Sequence, residues 1–174
     1  LSAEKLLDSY GEERKAHVTE LTSRIKAVGA VVCERDVEKA RARDFKLLRD
    51  CGGIVKDTPR QDVLPALTTG FIFPSPGAGT LFPQPRMQAG QLMDHLHGYQ
   101  WRWVTDGTLT TIVPQGVNTV DLTVEPEAEG VVALWMQRHG VNAALVRPDH
   151  YVFASASNES DAQKLFANWQ AHLE

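Results

Sequence analysis

No stretch of this sequence approaches the run of about eighteen apolar residues that a membrane-crossing helix needs, so a spanning protein is excluded. The start, Leu1-Ser2-Ala3-Glu4-Lys5, lacks a basic segment leading into an apolar one, so no secretory signal is visible. An initiator methionine is also missing, which leads us to expect a piece of a longer gene product. Cysteine is scarce. Cys33 and Cys51 alone cannot build a disulfide framework, and a cytoplasmic location is the default expectation. Positive charge is not in excess either: 18 basic against 22 acidic residues leave a net charge of −4, which argues against a partner bound by phosphate neutralisation. What is present is a globular mixture, 43% apolar and 23% charged, over 174 residues, enough to bury the core of one domain with an appendage.

The charges divide the chain. Residues 1–60 carry 13 basic and 11 acidic groups, whereas residues 61–174 carry 5 and 11. In the first part the signs alternate at helical spacing, as on a solvated helix surface. Val18, Leu21, Ile25, Val28 and Val32 step by three and four residues and draw one apolar stripe along a long helix, with Leu7 and Tyr10 extending it backwards. A second helix is predicted to start at Asp36 as N-cap, to turn Val37, Ala40, Arg41, Phe45 and Leu48 inward, and to stop at Gly52-Gly53. Two helices with such narrow seams need a further surface to cover them. Between 52 and 90 the texture changes: six of the nine prolines and six of the thirteen glycines fall there, yet Phe71, Ile72, Phe73, Leu81 and Phe82 are too apolar for a free tether. An ordered, extended connection is expected.

Residues 91–174 read as an α/β unit. A short helix over 91–97 precedes an aromatic strand, Tyr99 to Val104, and a second strand alternates through Val120, Leu122 and Val124. A helix bearing Val131, Val132, Trp135 and Met136 ends at Gly140. Two strands flank the turn Arg147-Pro148-Asp149-His150, in which Pro148 pre-sets the turn and Asp149 tolerates unusual angles. The last helix opens with a capping box from Ser160 to Gln163 and presents Ala162, Leu165, Phe166, Trp169 and Leu173 to one side. The order helix, strand, strand, helix, hairpin, helix suits a thioredoxin-like sandwich with a sheet of about four strands.

Chemistry-bearing patterns are thin. Cys33 and Cys51 lie on the helical pair, no Cys-x-x-Cys exists, and both are expected to be packed thiols without redox function. His95 and His97, two apart on a helix, would diverge by about 200°, so with Asp94 they are not expected to form a zinc site. Serines 155, 157 and 160 lie near His150 without a nucleophile motif, and Gly77-Ala78-Gly79 follows no strand and lacks a third glycine. Tyr99, Trp101 and Trp103 place three rings on one face, read chiefly as core or interface packing. We assign no catalytic, cofactor-binding or metal residue from these patterns.

A resemblance adds to this. Leu6-Leu7-Asp8-Ser9-Tyr10 with Glu13-Arg14 resembles the Leu-Leu-x-x-Tyr-x-x-Glu-Arg-Arg segment of class A FAD-dependent aromatic hydroxylases, Lys15 replacing the second Arg. Ala42-Arg43-Asp44 and Gly79-Thr80-Leu81-Phe82-Pro83-Gln84-Pro85 are similar to the family's continuation, and Leu145-Val146-Arg147-Pro148-Asp149-His150-Tyr151-Val152 resembles the hairpin of its thioredoxin-like C-terminal domain. The subgroup resembled is that of the 3-(3-hydroxyphenyl)propionate hydroxylases and related phenol monooxygenases. The resemblance implies a non-catalytic C-terminal fragment: 1–53 a helical pair packing on the FAD-binding domain of the same polypeptide, 54–90 a linker, 91–174 a thioredoxin-like domain with a structural or homodimer role. It implies no cofactor in this fragment, and FAD and NAD(P)H in a parent enzyme that reduces the flavin, forms its hydroperoxide with O₂ and hydroxylates a phenolic substrate. No membrane or nucleic-acid partner is expected. The alternative is a free-standing thioredoxin-like binding module without redox activity, taking a protein partner or a small aromatic ligand in a cleft beside Tyr99, Trp101 and Trp103.

Overall fold

Each run of apolar residues in the second half of the chain finds a sheet to cover. The computed structural model describes residues 4–54 and 63–173. Two helices come first, α1 (Glu4–Val32) and α2 (Val37–Asp50), followed after the connection by the single turn α3 (Met93–His97). Then come β1 (Arg102–Thr105), β2 (Asn118–Asp121), α4 (Val131–His139), β3 (Ala143–Val146), β4 (Val152–Ala156) and α5 (Glu159–Leu173). The strands form one sheet in the order β2-β1-β3-β4, with β2 parallel to β1 and the remaining neighbours antiparallel. This is the mixed α/β, thioredoxin-like arrangement expected, preceded by a helical pair.

Alternation along the strands divides the core in two. Trp103, Leu145, Phe153 and Ala154 pack with Leu165, Phe166 and Trp169 of α5 on one face. Val104, Ala144, Val146 and Val152 pack with Val132, Trp135 and Met136 of α4, and with Phe82, Met87 and Met93, on the other. The register of β3 on β4 shifts between Leu145 and Val146, whose partners are Ala154 and Val152; the bulge lets both Phe153 and Ala154 join the α5 side. The crossover from β1 to its parallel neighbour β2 carries no helix. Residues 106–117 cover the sheet instead with Leu109, Val113 and Val117, and Thr110 and Thr111 bind the Glu159 carboxylate at the start of α5. Those bonds, Thr111's first, hold the Glu159 pKa below its ordinary value.

The proline-rich connection pairs with the outer edge of β4. The Phe73 and Gly79 amides donate to the Phe153 and Val152 carbonyls (2.9 and 2.8 Å), and Phe82 N donates to His150 O (2.8 Å). An otherwise open strand edge is thereby closed.

Several boundaries differ from expectation. β1 begins at Arg102, so Tyr99 and Trp101 precede the strand, and β2 ends before Leu122 and Val124. His150, not Asp149, takes the left-handed conformation of the hairpin turn, with φ 69°. The cap of α5 is Asn158, whose Oδ1 accepts from Asp161 N at 3.0 Å, rather than Ser160. Asn158→Ala is accordingly expected to cost about 1 kcal/mol in urea unfolding, and Ser160→Ala a few tenths at most. Asp36 does cap α2, its Oδ1 accepting from Lys39 N at 3.0 Å. Cys33 and Cys51 are exposed rather than packed, because they lie at the far end of α1 and the end of α2, where none of the described residues covers them. No described helix is long and apolar enough to cross a membrane.

Candidate functional site

The two segments that carry the hydroxylase resemblance meet in space. Glu13 of α1 and Arg147 of the β3–β4 turn, 134 residues apart, form a two-pronged ion pair: Arg147 Nη1 and Nη2 donate to Glu13 Oε1 and Oε2 at 2.8 and 2.9 Å. The Glu13 side chain is 4% exposed and that of Arg147 11%. Arg147 Nη1 also donates to the Phe71 carbonyl (2.9 Å), and Nε and Nη2 donate to Asp149 (3.0 and 2.8 Å). All five guanidinium N–H groups are therefore engaged. Glu13 Oε1 accepts a further bond from Phe71 N at 2.6 Å. Burial pulls the Arg147 pKa down, but the Glu13 hydrogen bonds and the Asp149 charge more than reverse this, and the net direction is upward.

Glycine is required beside this pair. Gly70 sits at φ +90°, and a Cβ there would lie 1.9 Å from Glu13 Cγ. One helical turn on, Tyr151 Oη lies 3.2 Å from His17 Nε2, which is itself 3.1 Å from the Pro65 carbonyl. Burial raises the Tyr151 pKa, Asp149 adding to the effect. Helix, connection and hairpin are thus tied at one junction. A groove of about 370 Å³ opens beside it, between Tyr10, Phe71, Trp101, Pro148 and Leu173.

The residues weighed from sequence alone do not assemble a reaction centre. Trp103 is 1% exposed within the α5-side core and cannot line a cleft; Tyr99 faces His150 at 5.6 Å, away from Trp101. The cleft expected beside all three rings is therefore replaced by the groove at Trp101 and Phe71. Asp94, His95 and His97 go separate ways. His97 Nε2 donates to Glu125 (2.9 Å) while Nδ1 accepts from Asn118 (3.0 Å); His95 is exposed; Asp94 pairs with the buried Arg102. No group of three metal-ligating side chains occurs among the described residues. Arg102 Nη2 donates to His150 Nδ1 at 2.9 Å, making an Asp94–Arg102–His150 cluster around the buried Arg102 that no sequence pattern announced. Ser155 Oγ donates to Pro76 O, Ser157 Oγ to Asp161, and Ser160 lies in the first turn of α5. The single Gly-x-Gly does not fit a nucleotide: a Cβ at Gly79 would lie 2.0 Å from Leu67 O, and one at Gly77 2.7 Å from Trp135, so no open phosphate cradle exists there.

No protein-family model matches the chain. Among curated proteins it is similar to a probable NADH-specific resorcinol 4-hydroxylase of Rhodococcus jostii (strain RHA1), 29% identical over 181 residues, which cover 91% of this chain and 33% of that protein. It is also similar to 3-(3-hydroxy-phenyl)propionate/3-hydroxycinnamic acid hydroxylases of two Mycobacterium strains, JLS and KMS. Each is 27% identical over 194 residues, covering 87% of this chain and 34% and 33% of those proteins respectively. The chain spans about one third of the length of these relatives.

Proposed function

We propose that this chain is the C-terminal part of an aromatic hydroxylase, the non-catalytic scaffold of a flavin-dependent, NAD(P)H-using monooxygenase acting on phenolic compounds. In this reading residues 1–53 dock on the FAD-binding domain, 54–90 connect, and 91–174 form the thioredoxin-like domain. No residue of this chain is given a part in the chemistry, and none is assigned to the flavin.

The observation that carries the reading is an imbalance of burial. Both faces of the sheet are closed, while the apolar stripes of α1 and α2 are open: Ile25 is 62% and Phe45 70% exposed, with Val28, Val32, Val37 and Leu48 similarly placed. Each such side chain gains about 1.5–3 kcal/mol on full burial, so an open double stripe favours a cover. The names of the relatives, hydroxylases of resorcinol and of 3-hydroxyphenylpropionate, point to a mononuclear phenolic ring as the substrate class.

The coding DNA on the 5′ side of the Leu1 codon tests this. An in-frame extension of several hundred residues with Gly-x-Gly-x-x-Gly after a strand supports it; a start codon directly before Leu1 overturns it. A second copy of the chain is the competing cover. The isolated chain is expected to self-associate in light scattering, and the Ile25→Asp/Phe45→Asp variant to be monomeric. A wild-type monomer across all concentrations would count against the stripe as a docking surface.

A further inference from the structure

We propose that His150 is a pH-sensitive latch: its neutral ring fastens the β3–β4 hairpin to the buried Arg102, and protonation releases the hairpin together with the stretch of the connection that pairs with it. The inference does not depend on the scaffold reading, since every group it uses lies in the described residues. Three side chains close a cycle. Arg102 donates through Nη1 to Asp94 and through Nη2 to His150 Nδ1 (2.9 Å), and His150 Nε2 lies 3.5 Å from Asp94 Oδ2. A guanidinium has donors and no acceptor, so Nδ1 must offer its lone pair. The ring is therefore neutral, with its one proton on Nε2, on the side of the carboxylate.

A second proton has to go to Nδ1, where it meets the Arg102 N–H, donor against donor. The imidazolium cannot keep that bond, and its charge then stands beside a guanidinium with which it shares the single carboxylate of Asp94. Exposure decides which partner gives way. The Arg102 side chain is 1% exposed, and its Nε has no partner among the described residues, so it has nowhere to go; the His150 side chain is 29% exposed and can turn to water. The backbone favours the same outcome. His150 is the one residue other than glycine with a positive φ among the described residues, at 69°, a conformation that a side chain with a Cβ keeps under constraint. Three main-chain bonds rest on the shape of this turn: His150 N to Arg147 O (3.0 Å), Arg147 N to Tyr151 O (2.9 Å), and Phe82 N of the connection to His150 O (2.8 Å). The charged and titratable described groups around the ring are Asp94 of α3, Arg102 of β1, and Tyr99, whose ring meets the imidazole edge to face at 5.6 Å. On the hairpin itself, Arg147 and Asp149 are engaged with each other and Arg147 with Glu13; Phe82, the connection's contact, carries no charge.

The test uses the whole chain, labelled with ¹³C and ¹⁵N, in which the His150 ring is assigned through its own backbone signals. At about pH 7.5, Nδ1 is expected to give the signal of an unprotonated ring nitrogen and Nε2 that of a protonated one. Between about pH 7.5 and about pH 5, the exchange protection of the Phe82 and Arg147 amides, corrected for the intrinsic pH dependence of exchange, is expected to fall about tenfold or more. The Leu122 amide, bonded to Thr105 O on the other side of the sheet, is expected to hold its protection to within about twofold. Asparagine tolerates a positive φ and can offer Oδ1 to Arg102 without taking up a proton, so His150→Asn is expected to keep the Phe82 and Arg147 protection at both pH values. A proton on Nδ1 at about pH 7.5 overturns the proposal. So does unchanged Phe82 and Arg147 protection in the wild-type chain, a fall shared equally by Leu122, or a fall of the same size in His150→Asn.

Discussion

Arg147→Met is expected to lower stability by about 3–5 kcal/mol, because it leaves the largely buried Glu13 carboxylate and the Phe71 carbonyl without their donor. That is a large share of the roughly 5–15 kcal/mol that holds a domain together. The loss should appear first where the pair acts. Amide-exchange protection along α1 should fall before that of the sheet, whose core does not use the pair. Arg147→Lys keeps the charge but cannot supply five fixed N–H groups, and should fall between wild type and Met. Glu13→Leu combined with Arg147→Met should recover much of the loss, since neither side then buries an unpaired charge. Urea unfolding of these proteins, with the Glu13→Leu single variant completing the cycle, measures the coupling. A Met variant within about 1 kcal/mol of wild type would mean that the pair contributes no more than an exposed surface bridge.

Gly79→Ala should be nearly as damaging, through the backbone rather than through charge. Gly79 sits at φ +75°, which costs a residue with a Cβ about 1–2 kcal/mol wherever it occurs. Its surroundings add to this. The Gly79 amide donates to Val152 O at 2.8 Å on the β4 edge, and its carbonyl accepts from Leu67 N at 2.8 Å. An alanine Cβ would lie 2.0 Å from Leu67 O and 3.0 Å from Leu67 C, both main-chain atoms. Relief requires moving one strand of the contact and losing hydrogen bonds worth about 1 kcal/mol each, for a total of about 3–4 kcal/mol. Gly90→Ala and Gly116→Ala, at φ +85° and +92° with no atom within 4 Å of the added carbon, should show the conformational cost alone. Equal melting temperatures for the Gly79 and Gly90 variants would remove the steric part of this account.

The local signals proved reliable where one residue sufficed to set them. Asp36 capped its helix, Gly140 ended α4 in the left-handed conformation, and the alternation of Trp103 and Val104 sorted β1 into two cores. Misreadings arose where two candidates competed for one role. Asn158 lies one residue ahead of α5 and takes the cap, whereas Ser160 is already inside the helix. His150 is the residue that closes the turn back onto Tyr151, and so it adopts the positive φ that Asp149 could also have taken. The cysteines failed for a different reason: burial depends on a covering surface, and no sequence pattern states whether one is there.

Periodicity and turn chemistry act between neighbours a few residues apart, so the sequence by itself determined the elements, their order and the thioredoxin-like class. The motif residues also stand in it: Glu13 beside Tyr10, Arg147 beside Pro148 and Asp149. Only the tertiary structure decided that these two segments share one ion pair, that the proline-rich connection closes the β4 edge, and that Trp101 rather than Trp103 reaches the surface. The physical reason is range. A hydrogen bond across 134 residues, or the bulge that turns Phe153 and Ala154 to one side, depends on where the whole chain has packed, and no local preference encodes that.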